Sequence, residues 1–311
     1  MALVPLTAVT RAQGNNAALK DGSVTPEGFA LDFHEVPVLV QAFRRMVRTL
    51  EFDVCEMAIT TYLCAKAHGK PFTALPVFLV RGLHHGAILR GGDVHTPAEL
   101  HGRRVGVNRG YTVTTGVWAR GILAEEYGVD LGQVTWVRSG DEHVAEYRPP
   151  SNVADVPPGS ELETMLADGE LAATVGVEAD TFPTLIPDAE EAAFDALRRR
   201  GLYPINHLVV VKDALLTEHP GLAPALFEAF AEAKRRYVDR LHQGAIEAPT
   251  RIDRMHRRVM DITGDDPLPY GIGPNRPMIE ELIRHAVQQR IIDSPPAVEE
   301  LFAESTHKLI A

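Results

Sequence analysis

Arg81, His84 and His85 stand together directly after the apolar run 75–79, supplying one fixed cation and two imidazoles that titrate near neutral pH. Adjacent histidines on a strand point to opposite faces, so at most one of the two faces a given ligand. No HxH, HxxxH or HxxE partner accompanies the pair, which favours proton transfer over metal ligation. Glu56 follows the apolar stretch 52–54, at the carboxyl end of a predicted strand, where open α/β sheets place ligand groups. A Glu favoured by a helix N-terminal dipole explains the same position equally well. Tyr111, Thr112 and Thr114 open a predicted helix over 114–127, where free N–H groups and hydroxyls suit a carboxylate, and ordinary N-capping is compatible with that use.

Two more candidates lie further on. Arg138 follows the predicted strand 134–137, as a ligand cation or as half of a surface ion pair. His207 lies beside Tyr203 and Pro204 at a predicted crossover, where it acts either as a hinge residue facing a cleft or as a structural histidine. Trp118 reads as core, Arg120 as a solvated or interlobe pair, and the run Arg198, Arg199, Arg200 as a solvated helix end. Tyr270, Asn275 and Arg276 read as structural.

The elements that must hold these residues alternate between strand and helix. Val36, Val40, Phe43, Val47 and Leu50 recur at helical spacing before a strand at 52–54, and 75–79 reads as a second buried strand. Thr96 with Pro97 marks a helix start, 104–107 and 134–137 read as strands, and Gly128 closes the helix between them. Leu162, Met165 and Leu166 form a short helix stopped by Gly169, and the strand 172–175 follows. After a strand at 207–211, Leu222, Leu226, Phe230, Ala233, Tyr237 and Leu241 line one face of a long helix, and Ile279 to Val287 carry a last one. This βαβ grammar predicts an α/β protein with largely parallel sheets in two lobes. Residues 1–100 and 204–311 are expected to form lobe I and 101–203 an inserted lobe II, with a ligand cleft between them.

Bulk composition narrows the partners. A net charge of −11 over 311 residues repels phosphate backbones, so nucleic acid is not expected. No run reaches the length of a membrane span, and residues 1–9 carry no basic group before their apolar stretch, so a cytoplasmic protein is expected. Cys55 and Cys64 lack metal spacing and read as small buried hydrophobes; a homo-oligomer is compatible with the sequence.

Five segments, FDVCEMAITTYL from Phe52, LPVFLVRGLHHGAI from Leu75, RRVGVNRGYTVTTGVWARGILAEEYGV from Arg103, GLYPINHLVVVKDALLTEHPGLAPALFEAFAEAK from Gly201 and PYGIGPNRPMIEELIRHA from Pro269, resemble in order and spacing the 4,5-dihydroxyphthalate decarboxylase family. The resemblance implies a type II periplasmic-binding-protein-like fold and non-oxidative loss of CO₂ from a small anionic hydroxylated aromatic acid, with no cofactor. It implies His85 as proton donor, Glu56 tuning it or handling the phenolic proton, and His207 as reserve acid. Arg81 and Arg138 would hold carboxylate or phenolate oxygens, with Tyr111 and Thr114 as further donors. Two departures bear on the substrate. The family's acidic-Tyr-acidic-Arg-Thr run is replaced by residues 11–16, which include Asn15 and Asn16, and Glu178 with Asp180 stands where relatives place an Arg. Relatives also carry Arg at the place of His84. Losing a cation and gaining an anion weakens dicarboxylate binding, so a ligand with one carboxylate, or with an additional polar or cationic group, is expected. A non-catalytic solute-binding protein or sensor is the competing reading, and a dehydratase or isomerase the third.

Overall fold

The computed structural model describes residues 3–311. Its strands are β1 (Val4–Val9), β2 (Phe29–Phe33), β3 (Val54–Ala58), β4 (Phe72–Arg81), β5 (Ile88–Arg90), β6 (Arg104–Val107), β7 (Thr135–Arg138), β8 (Val153–Asp155), β9 (Ala173–Val175) and β10 (Ile205–Lys212). They form two five-stranded sheets, each in its own compact unit.

The first unit comprises the described residues up to Arg81, with Ile205–Glu280 and Pro296–Ala311. Its strand order is β2-β1-β3-β10-β4. β1 runs parallel to β2 and β3, whereas β10 runs antiparallel to both β3 and β4. The largely parallel sheet expected is thus interrupted by one antiparallel strand, β10, which returns late in the chain. All five residues of β3 are buried, so no alternation marks its limits, and the strand runs four residues beyond the expected 52–54. Glu56 consequently lies inside the strand rather than after it. The long helix Leu222–His242 packs Leu226, Phe230 and Tyr237 inward at the predicted period.

The second unit comprises Gly82–Pro204 and Glu281–Pro295, with strand order β5-β9-β6-β7-β8. The first division falls after Arg81 rather than near residue 100, because β5 pairs antiparallel with β9, Ile88 opposite Val175. Residues 281–295 belong here because His285 meets Trp118 edge-on at 5.5 Å and Gln289 accepts from Arg120 at 2.7 Å. The helix Thr114–Tyr127 ends at Gly128 in the left-handed region, φ 67°, as its sequence requires. Residues 97–100 form one turn of 3₁₀ helix with a Thr96–Glu99 capping box instead of a longer helix. His84 and His85 lie in a 3₁₀ turn, since β4 stops at Arg81, so the strand alternation expected of them does not apply. Among the described residues no helix is long and apolar enough to cross a membrane.

Candidate active site

Glu56 is fully buried in β3. The antiparallel register sets Ala58 opposite His207 and Val209 opposite Glu56. Residues two apart share a face, so Glu56, Ala58 and His207 point the same way, and Glu56 and His207 are diagonal neighbours. His207 Nδ1 lies 2.6 Å from Glu56 Oε1. A carboxylate only accepts, so Nδ1 carries the hydrogen and Nε2 is left to exchange a proton with something else. The Arg11 backbone N–H donates to Glu56 Oε2 at 2.9 Å, and Arg11 Nε stands 3.8 Å from Oε1. Phe43 meets the His207 ring edge-on at 5.1 Å, which fixes the ring plane. His207 retains 13% side-chain exposure and Glu56 none, so a buried carboxylate orients an imidazole that solvent still reaches. His207 is thus a strand residue with a carboxylate partner rather than a hinge residue.

Other polar groups of the first unit are bound by the protein itself. Asn15 Nδ2 donates to Leu79 O at 3.0 Å, while Asn16 Nδ2 donates to Arg11 O at 2.9 Å. The amides of the 11–16 corner therefore fold their own loop. Gly14 is obligatory there, because a Cβ would overlap the Tyr237 ring. Arg81, expected to grip an anion, is buried and donates to Asn275 Oδ1, which is anchored through Nδ2 to Pro269 O and Gly271 O. Tyr237 donates to Asp253 Oδ1 at 2.6 Å and lies 2.9 Å from His256 Nδ1. Burial pushes His256 down to about 4, against the pull of Asp253.

In the second unit the helix start does bind a carboxylate, but the chain supplies it. Glu142 Oε1 accepts from Tyr111 N at 2.6 Å, and Oε2 accepts from Thr112 N at 3.1 Å and Thr112 Oγ1 at 2.7 Å. Arg138 Nη1 donates to Glu142 Oε1 at 3.0 Å and its Nε to Asp155 Oδ1 at 2.6 Å; these bonds hold the guanidinium above its usual range. Thr114 is buried in the first turn of the helix. Arg120 is neither solvated nor an interlobe pair. It is fully buried, stacks 3.9 Å from the Tyr111 ring centroid and donates to Tyr111 O at 2.6 Å. Desolvation lowers its pKa, and the Glu142 charge works against that shift.

His85 belongs to the second unit and Glu56 to the first. His85 is 1% exposed and its Nε2 lies 3.0 Å from Glu126 Oε2. Burial pushes Glu126 up, but its bonds to His85 and Arg200 outweigh this and leave it low. Arg200 is no free helix end, because it bonds both Glu126 and Glu281 at 2.9 Å. Glu125, Glu281 and His285 bring ligand atoms within 4.8 Å of one another, and Arg200 Nη1, 2.9 Å from Glu281 and 3.7 Å from Glu125, holds that place. His84 is buried at the cap of the 3₁₀ turn. Glu178 is exposed and, with Glu161, Glu163, Asn108 and Ser139, lines a hollow of about 370 Å³ beyond the carboxyl ends of β6, β7 and β9.

Two residues of the second unit carry little sequence signal. Glu142 sits in an irregular segment with no periodicity to point it anywhere. Arg109 adopts φ 70° between Asn108 and Gly110, an uncommon left-handed conformation for a non-glycine, and its side chain is exposed at the end of β6.

Over 263 residues the chain is 31% identical to 4,5-dihydroxyphthalate decarboxylase of Comamonas testosteroni, covering 78% of this chain and 79% of that protein. The alkanesulfonate-binding protein SsuA from Xanthomonas axonopodis pv. citri, solved with MOPS bound, aligns with a TM-score of 0.52 at 14% identity over 97% and 98% of the two chains. The desulfurization enzyme DSZB aligns with a TM-score of 0.54 at 16% identity over 96% of each. The fold is therefore that of the periplasmic binding proteins. One of these structures is a binder and the other an enzyme, so fold alone does not choose between the two. No family model matches the chain.

Proposed function

Because the chain belongs to the 4,5-dihydroxyphthalate decarboxylase family, we propose that it is a cofactor-independent decarboxylase of a hydroxylated aromatic carboxylic acid. The observation that carries the reading is the Glu56–His207 pair, 2.6 Å apart, with the carboxylate buried and the imidazole reachable. A ring hydroxyl ortho or para to the carboxylate pushes electron density onto the carbon that bears it. His207, as imidazolium, protonates that carbon from Nε2. The carbon–carboxylate bond then breaks, its electron pair restores the aromatic ring, and CO₂ leaves. Glu56 holds Nδ1 throughout and offsets the positive charge on the ring. Arg11, on the same carboxylate, keeps Glu56 aimed at His207.

Charge bookkeeping supports the arrangement. The leaving carboxylate becomes neutral CO₂, so a cation bound tightly to it stabilises the ground state more than the transition state and slows the reaction. Arg81 and Arg138 are already given to protein acceptors, which favours positioning roles for both. The reading also carries the expectation of a cytoplasmic enzyme acting on a small aromatic anion, and fractionation of the producing cells checks the location. The function is tested by incubating the protein with hydroxylated benzoic and phthalic acids while following CO₂ release and thermal unfolding together. CO₂ release supports the decarboxylase; stabilisation without CO₂ assigns a binding protein instead.

A further inference from the structure

Pairing of β1 with β3 stops at Val9 opposite Cys55, so the chain leaves the sheet one residue short of Glu56, and no ladder aims the peptide groups of residues 10–13. We propose that Asn16 takes over that task and is a positioning residue of the proton-transfer pair. It fixes the turn whose Arg11 N–H holds Glu56, and through Glu56 it sets the angle at which His207 meets the substrate. This rests on the decarboxylase reading and adds to it a residue that touches neither the substrate nor the reacting atoms.

Asn16 is fully buried at the end of the 3₁₀ turn Gly14–Asn16. Its Oδ1 accepts from Gln13 N at 3.0 Å, and its Nδ2 donates to Arg11 O at 2.9 Å and to Thr10 Oγ1 at 3.2 Å. A backbone N–H only donates and a carbonyl only accepts, so the carboxamide has one orientation here, and no other side chain of its size offers both an acceptor and two donors. Arg11 is thus held on both sides, its O by Asn16 and its N–H on Glu56 Oε2 at 2.9 Å, while Oε1 of the same carboxylate meets His207 Nδ1 at 2.6 Å. A series of hydrogen bonds therefore joins Asn16 to the imidazole. The other side of the turn rests on the Tyr237 ring, 2.2 Å from where a Cβ on Gly14 would lie. When Asn16 lets go, the chain consequently gives at residues 10–13, beside Glu56. That carboxylate is fully buried, so water does not make good a lost Arg11 bond in place.

The test compares wild type, Asn16→Asp, Asn16→Ala and Tyr237→Phe. Asn16→Asp has the same shape and keeps an acceptor for Gln13 N, but has no donor for Arg11 O or Thr10 Oγ1. Tyr237→Phe loses the hydroxyl bonds to Asp253 and His256 yet keeps the ring against Gly14, and so controls for lost stability alone. Proton NMR reads the pair without substrate, because a short Nδ1–H bond to a carboxylate resonates far downfield; the His207 signal is identified by its loss in His207→Ala. In both Asn16 variants this signal should move upfield or vanish into exchange. CO₂ release should show kcat lower by about ten- to a hundredfold with KM unchanged, since the acid is misaimed while Asn16 contacts no substrate. Tyr237→Phe should keep the wild-type signal and kcat. Asn16→Asp carries the test if the alanine variant does not fold. The proposal is overturned if folded Asn16 variants keep the wild-type signal or kcat, if KM rises in place of a fall in kcat, or if Tyr237→Phe loses as much. A displaced signal in the Asn16 variants with no CO₂ from wild type upholds the positioning role and removes the decarboxylase reading instead.

Discussion

The buried triad Asp253–Tyr237–His256 makes stability depend on pH in a window that can be worked out. The single hydroxyl hydrogen of Tyr237 goes to Asp253, so its oxygen accepts from His256 Nδ1–H, and the histidine is held neutral. His256 is 5% exposed, and burial brings its pKa from 6.5 to about 4. Protons therefore bind the unfolded chain first. The contribution is complete above pH 6.5 and is lost as pH falls toward 4, where both states are protonated. Linkage gives a loss of about 2 kcal/mol by pH 5 and about 3 kcal/mol over the whole window. Urea unfolding at several pH values between neutral and 4 measures it, with His256→Gln as the reference. Glu126 and Glu281 are held low in both proteins alike, so the difference in slope between the two isolates His256. Parallel slopes for wild type and variant would mean that His256 is not held neutral in the folded protein.

Two further perturbations test the packing around the site. Gly14→Ala forces the Tyr237 ring aside, and an overpacked core of this kind should lose about 1–3 kcal/mol in urea unfolding; a change within error would show that the 11–16 corner is free to move. Glu126→Gln removes the charge that holds His85 and Arg200, and its unfolding free energy should fall by about 1–2 kcal/mol, read as a lower urea midpoint at an unchanged m-value, whereas an unshifted midpoint would deny His85 a structural role.

Helices announced themselves in the sequence, because an apolar stripe and a terminal glycine are local signals. The helix Thr114–Tyr127 runs from the expected threonine to the expected glycine. Strands buried on both faces did not, and β3 runs on to Ala58 because Val54 to Ala58 show no alternation. The division after Arg81 depends on β5 meeting β9, some eighty residues later in the chain, which no local pattern encodes. The same non-locality hid the partners of the candidate residues. Glu56 and His207 were each visible as proton-transfer groups, but only the β3–β10 register shows that they face each other. Tyr111 and Thr112 were legible as a carboxylate site. That the carboxylate is Glu142 was not, because thirty residues of intervening chain decide it. Arg81 and Arg138 were legible as cations, and their acceptors Asn275 and Asp155 were not.

If Glu56 and His207 form the proton-transfer pair, CO₂ release from the best hydroxylated aromatic acid must separate folded wild type, His207→Ala, Glu56→Gln and His85→Ala. Loss of the acid should lower kcat by about 10²–10⁴-fold in His207→Ala, and Glu56→Gln should fall by a large part of that because it loses the charge that orients and supports the imidazolium. Full turnover by His207→Ala, or a collapse confined to His85→Ala, would contradict the assignment.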